Sequence, residues 1–293
     1  MTQHSPPAPE FPAQQSETHR ISRAAGVIGG ATFLSRILGF IRDMALANLF
    51  GANAAADAFY VAYRIPNLLR ELFAEGSMSS AFIPVFTEYH ASKSPKEAWA
   101  LANAAFTTLL TLVTLVTILG IVSAPGIVWL LAPGFRADAS KLATTTLLTQ
   151  IMFPYLIFVS LAALAMGVLN ALRSFVVPAL APVFFNICVI LFAVIISPIF
   201  AQPILAVAVG IVIGGLAQFL MQLPGLRKKG LTFSLDFHPH HPGVKKIGLL
   251  IIPSLLGLAV TQINLTVSTI LASYFQGGPT YLFYGMRLIQ FPL

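Results

Sequence analysis

Charged residues are scarce in this chain of 293 residues: Asp, Glu, Lys and Arg together make up 9%, whereas 57% of the residues are hydrophobic. Soluble domains carry roughly 25% charged residues, so this chain has too few charges to cover a globular surface. Together with a mean hydropathy of +0.83, the scarcity of charge excludes a soluble enzyme. The composition indicates a polytopic membrane protein.

Cysteine and acidic residues are also scarce. Cys188 is the only cysteine, which excludes an internal disulfide and says nothing about the redox compartment. The 10 Asp and Glu residues face 17 Lys and Arg residues, giving a formal net charge of +7. Because the basic residues lie mostly between apolar runs, we interpret their excess as a signal of membrane topology and expect no nucleic-acid partner.

A polar N-terminal region precedes eight apolar segments. Residues 1–20 are rich in Pro, Gln and Ser, lack the pattern of a signal peptide, and are predicted to form a disordered cytoplasmic tail. About 20 apolar residues suffice for a membrane-spanning helix, so the sequence predicts an all-α polytopic membrane protein with about eight transmembrane helices. The predicted segments are 24–50, 54–91, 96–131, 142–171, 176–199, 203–224, 245–274 and 280–293.

The basic residues between segments predict the orientation of the chain. With the N-terminus in the cytoplasm, ten basic residues fall on the cytoplasmic side and only two, Arg136 and Lys141, fall on the opposite side. The ten are Arg20, Arg23, Lys93, Lys96, Arg173, Arg227, Lys228, Lys229, Lys245 and Lys246. We therefore expect a cytoplasmic N-terminus. The last segment reaches the C-terminus without a polar flank, which suggests that the chain is a piece of a longer protein.

Away from the ends of the segments, nine charges lie inside the apolar runs. They are Arg36, Arg42, Asp43, Asp57, Arg64, Arg70, Glu71, Glu75 and Arg287. Each such charge costs about 2.5–3.5 kcal/mol at a helix centre, so they are expected to face the bundle interior, to pair with one another or to line water.

Helical spacing groups some of these charges. It places Arg36 and Asp43 on one face, and Asp57, Arg64, Glu71 and Glu75 on one stripe of a segment that Pro66 is predicted to break. Because all five internal cations are arginines, whose guanidinium forks fit phosphate, the pattern predicts a polar cavity for an anionic ligand. For Arg64, a structural ion pair is an equal alternative.

Several stretches of the sequence resemble the MurJ (MviN) family of lipid II flippases. The longest is SRILGFIRDMALANLFGANAAADAFYVAYRIPNLLRELFAEGSMSSAFIPVFTEY, residues 35–89, in which SR-x-LGF-x-RD and PNLLR…FAEG are not generic transmembrane patterns. The resemblance continues through LAPGF (131–135), FPYLIFVSLAAL (153–164), VPALAPVFFNI (177–187) and YGMRLIQFP (284–292).

The resemblance implies a fold and a function. Members belong to the multidrug/oligosaccharidyl-lipid/polysaccharide exporter superfamily, with two six-helix lobes around a central cavity and two further helices. They move lipid II, an undecaprenyl-pyrophosphate-linked disaccharide-pentapeptide, from the cytoplasmic to the outer leaflet of the bacterial inner membrane by alternating access. The chain is then expected to hold a six-helix lobe (21–225), a basic cytoplasmic loop (226–246), helix seven and a truncated helix eight (247–293). Membrane lipid and the cell-wall synthesis machinery are the expected further partners.

The resemblance also implies functional residues. The family's cavity arginines, which bind substrate, correspond to Arg36, Arg42, Arg70 and Arg287. Its gate or cavity-polar positions correspond to Asp43, Asp57 and Glu75. Two departures stand out: Met286 and Gln290 replace acids that often flank the last arginine, and Glu71 replaces a basic residue that is common beside Arg70.

Other functions have weaker sequence support. The HPHH stretch (His238, His240 and His241) could bind a metal but is more typical of a solvated loop, and we expect no catalytic residue, cofactor or metal. The alternatives are a related exporter of drugs or of another polyprenyl-linked oligosaccharide, an intramembrane enzyme acting on polyprenyl pyrophosphate, and a non-transporting scaffold. The enzyme would need clustered acids such as DDxxD, which the sequence lacks.

Overall fold

The computed structural model describes residues 12–71, 77–234 and 241–290, and these ranges are helical apart from short connections. The α-helices are α1 (Pro12–Phe50), α2 (Ala54–Arg70), α3 (Ser77–Ser92), α4 (Pro95–Leu131), α5 (Ala139–Met152), α6 (Tyr155–Ala171), α7 (Val176–Leu191), α8 (Pro203–Leu220), α9 (Leu223–Lys228), α10 (Pro242–Ala272) and α11 (Gly278–Gln290). A 3₁₀ turn, Pro133–Ala137, precedes α5, and a π turn, Phe192–Ile196, continues α7 into a 3₁₀ turn at Ser197–Ile199.

Side-chain caps mark where several helices begin. The Asn53 side chain accepts a hydrogen bond from the backbone N–H of Ala56, at the start of α2. Ser94 and Asp138 do the same for α4 and α5. Short polar side chains at these positions satisfy backbone N–H groups that have no partner within the helix.

Two sequence predictions about helix limits are corrected. Helix α1 begins at Pro12, so residues 12–20 of the predicted disordered tail are helical, and residues 1–11 lie outside the described ranges. Pro66 does not break the second segment, because α2 runs through it to Arg70 and a separate helix, α3, begins at Ser77. Membrane helices tolerate proline where neighbouring helices pack around it, and Pro66 is buried.

The fourth segment is divided at Phe153 and Pro154, where α5 ends and α6 begins. Gly120 of α4 faces this junction, and a Cβ atom there would lie 2.1 Å from the Phe153 ring. The bare glycine backbone therefore makes room for the ring.

Four helical stretches of the described chain are long and apolar enough to cross a membrane: Pro95–Leu131, Ala139–Ala171, Val176–Ile199 and Pro203–Lys228. Helix α10 is a fifth if its two parts, which are bent by 45°, cross as one span. Large apolar side chains such as Val122 and Leu130 are exposed on these helices. Exposed apolar faces of this length suit contact with lipid, which supports a multi-pass membrane protein.

Two hydrophobic cores hold the bundle together. The first joins α3, α4 and the second half of α6, and includes Phe82, Leu101 and Leu164. The second joins α2, α5, α7 and α8 around residues such as Phe59 and Leu148, with Phe283 of α11 against its edge. The second core supports one wall of a polar cavity.

Helices α2 and α11 run side by side in the same direction along this cavity, because their contacts follow the same order. Asp57 contacts Thr280 near the two starts, and Tyr60 contacts Tyr284 further along both helices. We call the end of the bundle where these helices begin the Asp57 end. The opposite end, where α2 finishes, is called the Glu71 end.

Candidate anion-binding cavity

A polar cavity of about 570 Å³ lies between α1, α2, α7, α10 and α11, with α6 and α8 also contributing lining residues. Helix α2 supplies one wall through side chains at helical spacing: Tyr60, Tyr63, Arg64, Asn67, Arg70 and Glu71. Arg42 of α1, Asn186 of α7 and Arg287 of α11 complete a ring of polar groups. Four arginines therefore line the cavity, and Glu71 is the only acid among its lining residues in the described ranges.

Asp43 joins two of these arginines. Its Oδ1 accepts hydrogen bonds from Nε and Nη2 of Arg42, at 2.9 and 2.7 Å. Its Oδ2 accepts one from Nε of Arg287, at 2.6 Å. Arg42 and Asp43 are 6% and 5% exposed, whereas the Arg287 side chain is 41% exposed, so this carboxylate compensates one buried and one partly exposed guanidinium group.

Asn186 orients Arg42 from the opposite helix. Its Oδ1 accepts a hydrogen bond from Nη1 of Arg42 at 3.1 Å, and its Nδ2 donates to the backbone oxygen of Ser35 at 3.2 Å. The two bonds fix both ends of the amide. A buried asparagine of α7 thus connects the Arg42 side chain to the backbone of α1.

Arg70 and Glu71 form a second polar group at the Glu71 end. Arg70 Nε donates to Oδ1 of Asn67 at 3.0 Å, and Arg70 Nη2 lies 3.8 Å from Oε1 of Glu71. Asn67 Nδ2 donates to the same Glu71 oxygen at 2.7 Å, and Gln262 of α10 donates to the other. Glu71 therefore ties α2 to α10 while it partly compensates Arg70.

Arg64 differs, because two of its donors are unsatisfied. Its Nε and Nη2 atoms are buried and have no hydrogen-bond partner in the described part of the chain. Because a buried donor without an acceptor is costly, an acceptor supplied from outside the chain would stabilise Arg64. Arg64 is thus a lining residue with free donors, which favours a functional role over the structural ion pair that the sequence left open.

Asp57 lies at the Asp57 end and is completely buried. Its Oδ2 accepts hydrogen bonds from Nζ of Lys141 at 2.8 Å and from the backbone N–H of Gly277 at 2.9 Å. Its Oδ1 accepts from the backbone N–H and the hydroxyl of Thr280, at 3.2 and 2.7 Å. A carboxylate at a helix N-terminus also complements the helix dipole. Asp57 therefore fastens the start of α11 to α2 and α5.

The residues expected from the sequence fall into three groups. Arg42, Arg70 and Arg287 line the cavity, and Asp43 pairs with two of them. Arg36 is exposed on α1 and is not among the lining residues of the described cavity, and Asp57 lies beyond its end. Glu75 lies outside the described ranges, so its role stays a prediction.

Helical spacing does not predict the observed ion pairs. Asp57 pairs with Lys141 of α5 rather than with Arg64, with which it shares a stripe. Arg287, whose own helix carries Met286 and Gln290 in place of acids, finds its partner on α1 instead. Sequence reasoning missed Asn186, whose signal was a single amide inside the apolar run 176–196.

In the part of the chain that is described, no group of three His, Cys, Asp or Glu side chains is arranged to hold a metal ion. His238 and His240 of the HPHH stretch lie outside the described residues. His241 accepts a hydrogen bond from the backbone N–H of Gly243 at the start of α10. At that position it acts as a helix cap.

Comparison with known proteins identifies relatives along almost the whole chain. The family model for lipid II flippase MurJ matches residues 46–293. A probable lipid II flippase MurJ from Vibrio cholerae is 43% identical over 282 residues, which cover 94% of this chain and 54% of that protein. The chain thus spans about half the length of the curated relatives it matches.

Solved structures agree with this result. A lipid II flippase MurJ in an inward closed conformation superposes with a TM-score of 0.75 at 28% identity, over 90% of this chain and 54% of the other. A transporter of the MOP superfamily from Pyrococcus furiosus superposes with a TM-score of 0.70 at 15% identity, over 92% of this chain and 60% of the other, which shows a shared fold. Fold and sequence agree, and the chain belongs to the MurJ family of lipid II flippases.

Proposed function

We propose that the chain forms the first lobe and the following two helices of a flippase for lipid-linked peptidoglycan precursor, lipid II. In this role the arginine-lined cavity binds the pyrophosphate of the headgroup, and alternating access carries it from the cytoplasmic to the outer leaflet. The observation that carries the proposal is the pair of unsatisfied donors of Arg64, Nε and Nη2, inside a cavity that three further arginines line.

The charge balance of the cavity supports an anionic ligand. Asp43 is shared by Arg42 and Arg287, and Glu71 lies near Arg70, so the four arginines face two acids. Counting Asp43 together with the described lining residues, the cavity therefore has an excess of two positive charges. A pyrophosphate diester carries comparable negative charge, and guanidinium forks bind phosphate oxygens in pairs.

The proposed topology has eight transmembrane helices in the bacterial inner membrane and a cytoplasmic N-terminus. The ten-to-two distribution of basic residues supports this orientation. With it, the Asp57 end lies on the outer side and the Glu71 end on the cytoplasmic side. Residues 21–225 then form the six-helix lobe, and residues 226–246 form a cytoplasmic loop.

We place the outer gate at Asp57. Its bonds to Gly277 and Thr280 close α11 against α2 and α5 at the Asp57 end. Opening this end would require the start of α11 to leave Asp57. Asp43 is the second movable contact, because ligand phosphate competes with it for Arg42 and Arg287. Glu75 is proposed as a further gate or cavity-polar residue.

The proposal is tested by translocation of lipid II into the outer leaflet of proteoliposomes that contain the full-length protein. Wild-type protein should translocate lipid II, and Arg64→Gln should reduce the rate at least tenfold while the protein stays folded in the membrane. The matched control is Arg136→Gln, an exposed arginine outside the cavity. Translocation of a hydrophobic cationic drug in place of lipid II would instead support a related exporter and refute the assignment of substrate.

A further inference from the structure

Five aromatic side chains line the described cavity, and we call the three of them on α2 and α11 the aromatic tier: Tyr60, Tyr63 and Phe283. Phe283 stacks on Tyr60 with ring centroids 4.3 Å apart and an angle of 23° between the rings. Tyr63 stacks on Phe59 at 6.0 Å with nearly parallel rings. These contacts hold the tier in place without help from a ligand.

The two helices repeat the same spacing. On α2, Tyr60 precedes Arg64 by four residues, and on α11, Phe283 precedes Arg287 by four residues. Four residues of helix rise about 6 Å. Since α2 and α11 run in the same direction, both helices place an aromatic ring about one turn closer to the Asp57 end than an arginine.

The tier has surface available to a ligand. Tyr63 and Phe283 are half-buried and line the cavity. The Tyr60 hydroxyl is paired with that of Tyr284 at 3.2 Å, whereas no hydrogen bond of the Tyr63 hydroxyl exists within the described part of the chain. The tier therefore offers apolar ring surface and one free hydroxyl.

This combination fits a sugar ring. A pyranose has apolar C–H faces that pack on aromatic rings and hydroxyls at its edge that form hydrogen bonds. A cavity of about 570 Å³ is in the range of sites that enclose a ligand larger than phosphate alone. The rise of about 6 Å between Tyr60 and Arg64, and between Phe283 and Arg287, is of the order of the distance from a phosphate to the centre of a sugar bonded to it.

We propose that the aromatic tier is a saccharide subsite, which binds the sugar attached directly to the pyrophosphate and orients it toward the Asp57 end. This inference rests on the proposed function, because it takes the arginines as the site of the pyrophosphate. The inference assigns different roles to the two groups of residues. The arginines supply affinity for any polyprenyl pyrophosphate, and the aromatic tier distinguishes the glycosylated form.

The test compares two ligands on the full-length protein in nanodiscs: lipid II, and undecaprenyl pyrophosphate, which has no sugar. Tyr63→Ala should weaken lipid II binding about tenfold, in line with the loss of one stacking ring, and should change undecaprenyl pyrophosphate binding less than twofold. Tyr63→Phe keeps the ring and should lose only a few-fold in lipid II affinity. Tyr281→Ala, on an exposed ring of α11, is the matched control.

A second substitution guards against misfolding. Phe283→Leu keeps an apolar side chain and should also weaken lipid II binding selectively. Equal loss of both ligands in these variants, or no loss of either, would overturn the saccharide subsite and leave the pyrophosphate proposal standing. Failure of the wild-type protein to bind either ligand would refute the proposed function, and the subsite with it.

Discussion

The Asp57 carboxylate accepts hydrogen bonds from both the backbone N–H and the hydroxyl of Thr280, although 223 positions separate the two residues. The same carboxylate forms an ion pair with Lys141, so one buried side chain connects α2, α5 and the start of α11. The position of α11 also determines the contact between Arg287, near the other end of this helix, and Asp43. Asp57 and Asp43 are thus the two points at which α11 is fixed by charge.

Replacing Asp57 by alanine should destabilise the protein strongly. The substitution leaves Lys141 mostly buried without its counter-charge and removes the acceptor of two backbone N–H groups, which typically costs about 3–5 kcal/mol. Thermal unfolding in detergent measures the loss. Asp138→Ala, which removes an exposed helix cap on α5 and should cost about 1 kcal/mol, is the control. Equal losses for the two variants would contradict the anchoring role of Asp57.

The ion pair itself can be separated from the hydrogen bonds. The double substitution Asp57→Asn with Lys141→Met removes both charges, while the introduced amide oxygen can still accept hydrogen bonds from α11. We expect this double variant to recover most of the stability lost in Asp57→Asn alone, because no buried charge is left uncompensated. Chemical unfolding of the two single variants and the double variant completes the cycle. Additive losses would show that Lys141 and Asp57 do not depend on each other.

Much of the helical organisation could be predicted from the sequence, because it depends on local signals. The end of α1 at Phe50, the Asn53 cap and the start of α2 follow from a break in the apolar run and a capping residue. The split between α2 and α3 could not be predicted in the same way. Pro66 was the visible breaker, but the packing around it tolerates the ring.

The presence of a polar, arginine-lined cavity could be predicted from the sequence, but the ion pairs within it could not. Intramembrane arginines indicate a polar interior whatever the fold. Helical spacing grouped Arg36 with Asp43. In the structure, Asp43 instead binds the adjacent residue Arg42 and Arg287, which is 244 positions away in the sequence. Such contacts depend on which helices are adjacent, and periodicity along one helix carries no information about that.

The cavity arginines should differ in their response to substitution. Alanine at Arg42, Arg64 or Arg70 should abolish rescue of a flippase-depleted strain while membrane levels stay unchanged. Lysine should restore rescue only in part, because an ammonium lacks the bidentate fork. Arg36, exposed on α1 and outside the described cavity lining, provides the comparison: by geometry alone, Arg36→Ala should be milder. Loss of rescue in Arg36→Ala equal to that of Arg42→Ala would place Arg36 in the substrate path.

Asn186 should act by positioning Arg42. Asn186→Leu fills a similar volume but removes the acceptor of Arg42 Nη1, so undecaprenyl pyrophosphate should bind about five- to tenfold more weakly, as expected for one charge-assisted hydrogen bond. Equilibrium binding in nanodiscs measures the effect. Cys188→Ala, two residues away on α7, should bind normally. Unchanged affinity in Asn186→Leu would mean that Asp43 alone orients Arg42.

Gly39 should be sensitive to the size of its replacement, because it lies on α1 and faces residues that line the cavity. A Cβ atom there would lie 3.6 Å from Nη2 of Arg287 and 3.7 Å from Nδ2 of Asn186, which is ordinary van der Waals contact. Gly39→Ala should therefore keep substrate affinity and raise helix stability by up to about 1 kcal/mol. Gly39→Leu has no such space and should push Arg287 away from Asp43.

Binding of undecaprenyl pyrophosphate and thermal unfolding, measured on both variants, separate these effects. We expect Gly39→Leu to bind about tenfold more weakly, since one guanidinium no longer reaches the ligand. Gly29 is on the same helix and a Cβ atom there would meet nothing within 4 Å, so Gly29→Leu is the matched control and should bind normally. If Gly39→Leu binds as tightly as Gly29→Leu, the contact between Arg287 and Asp43 does not shape the binding site.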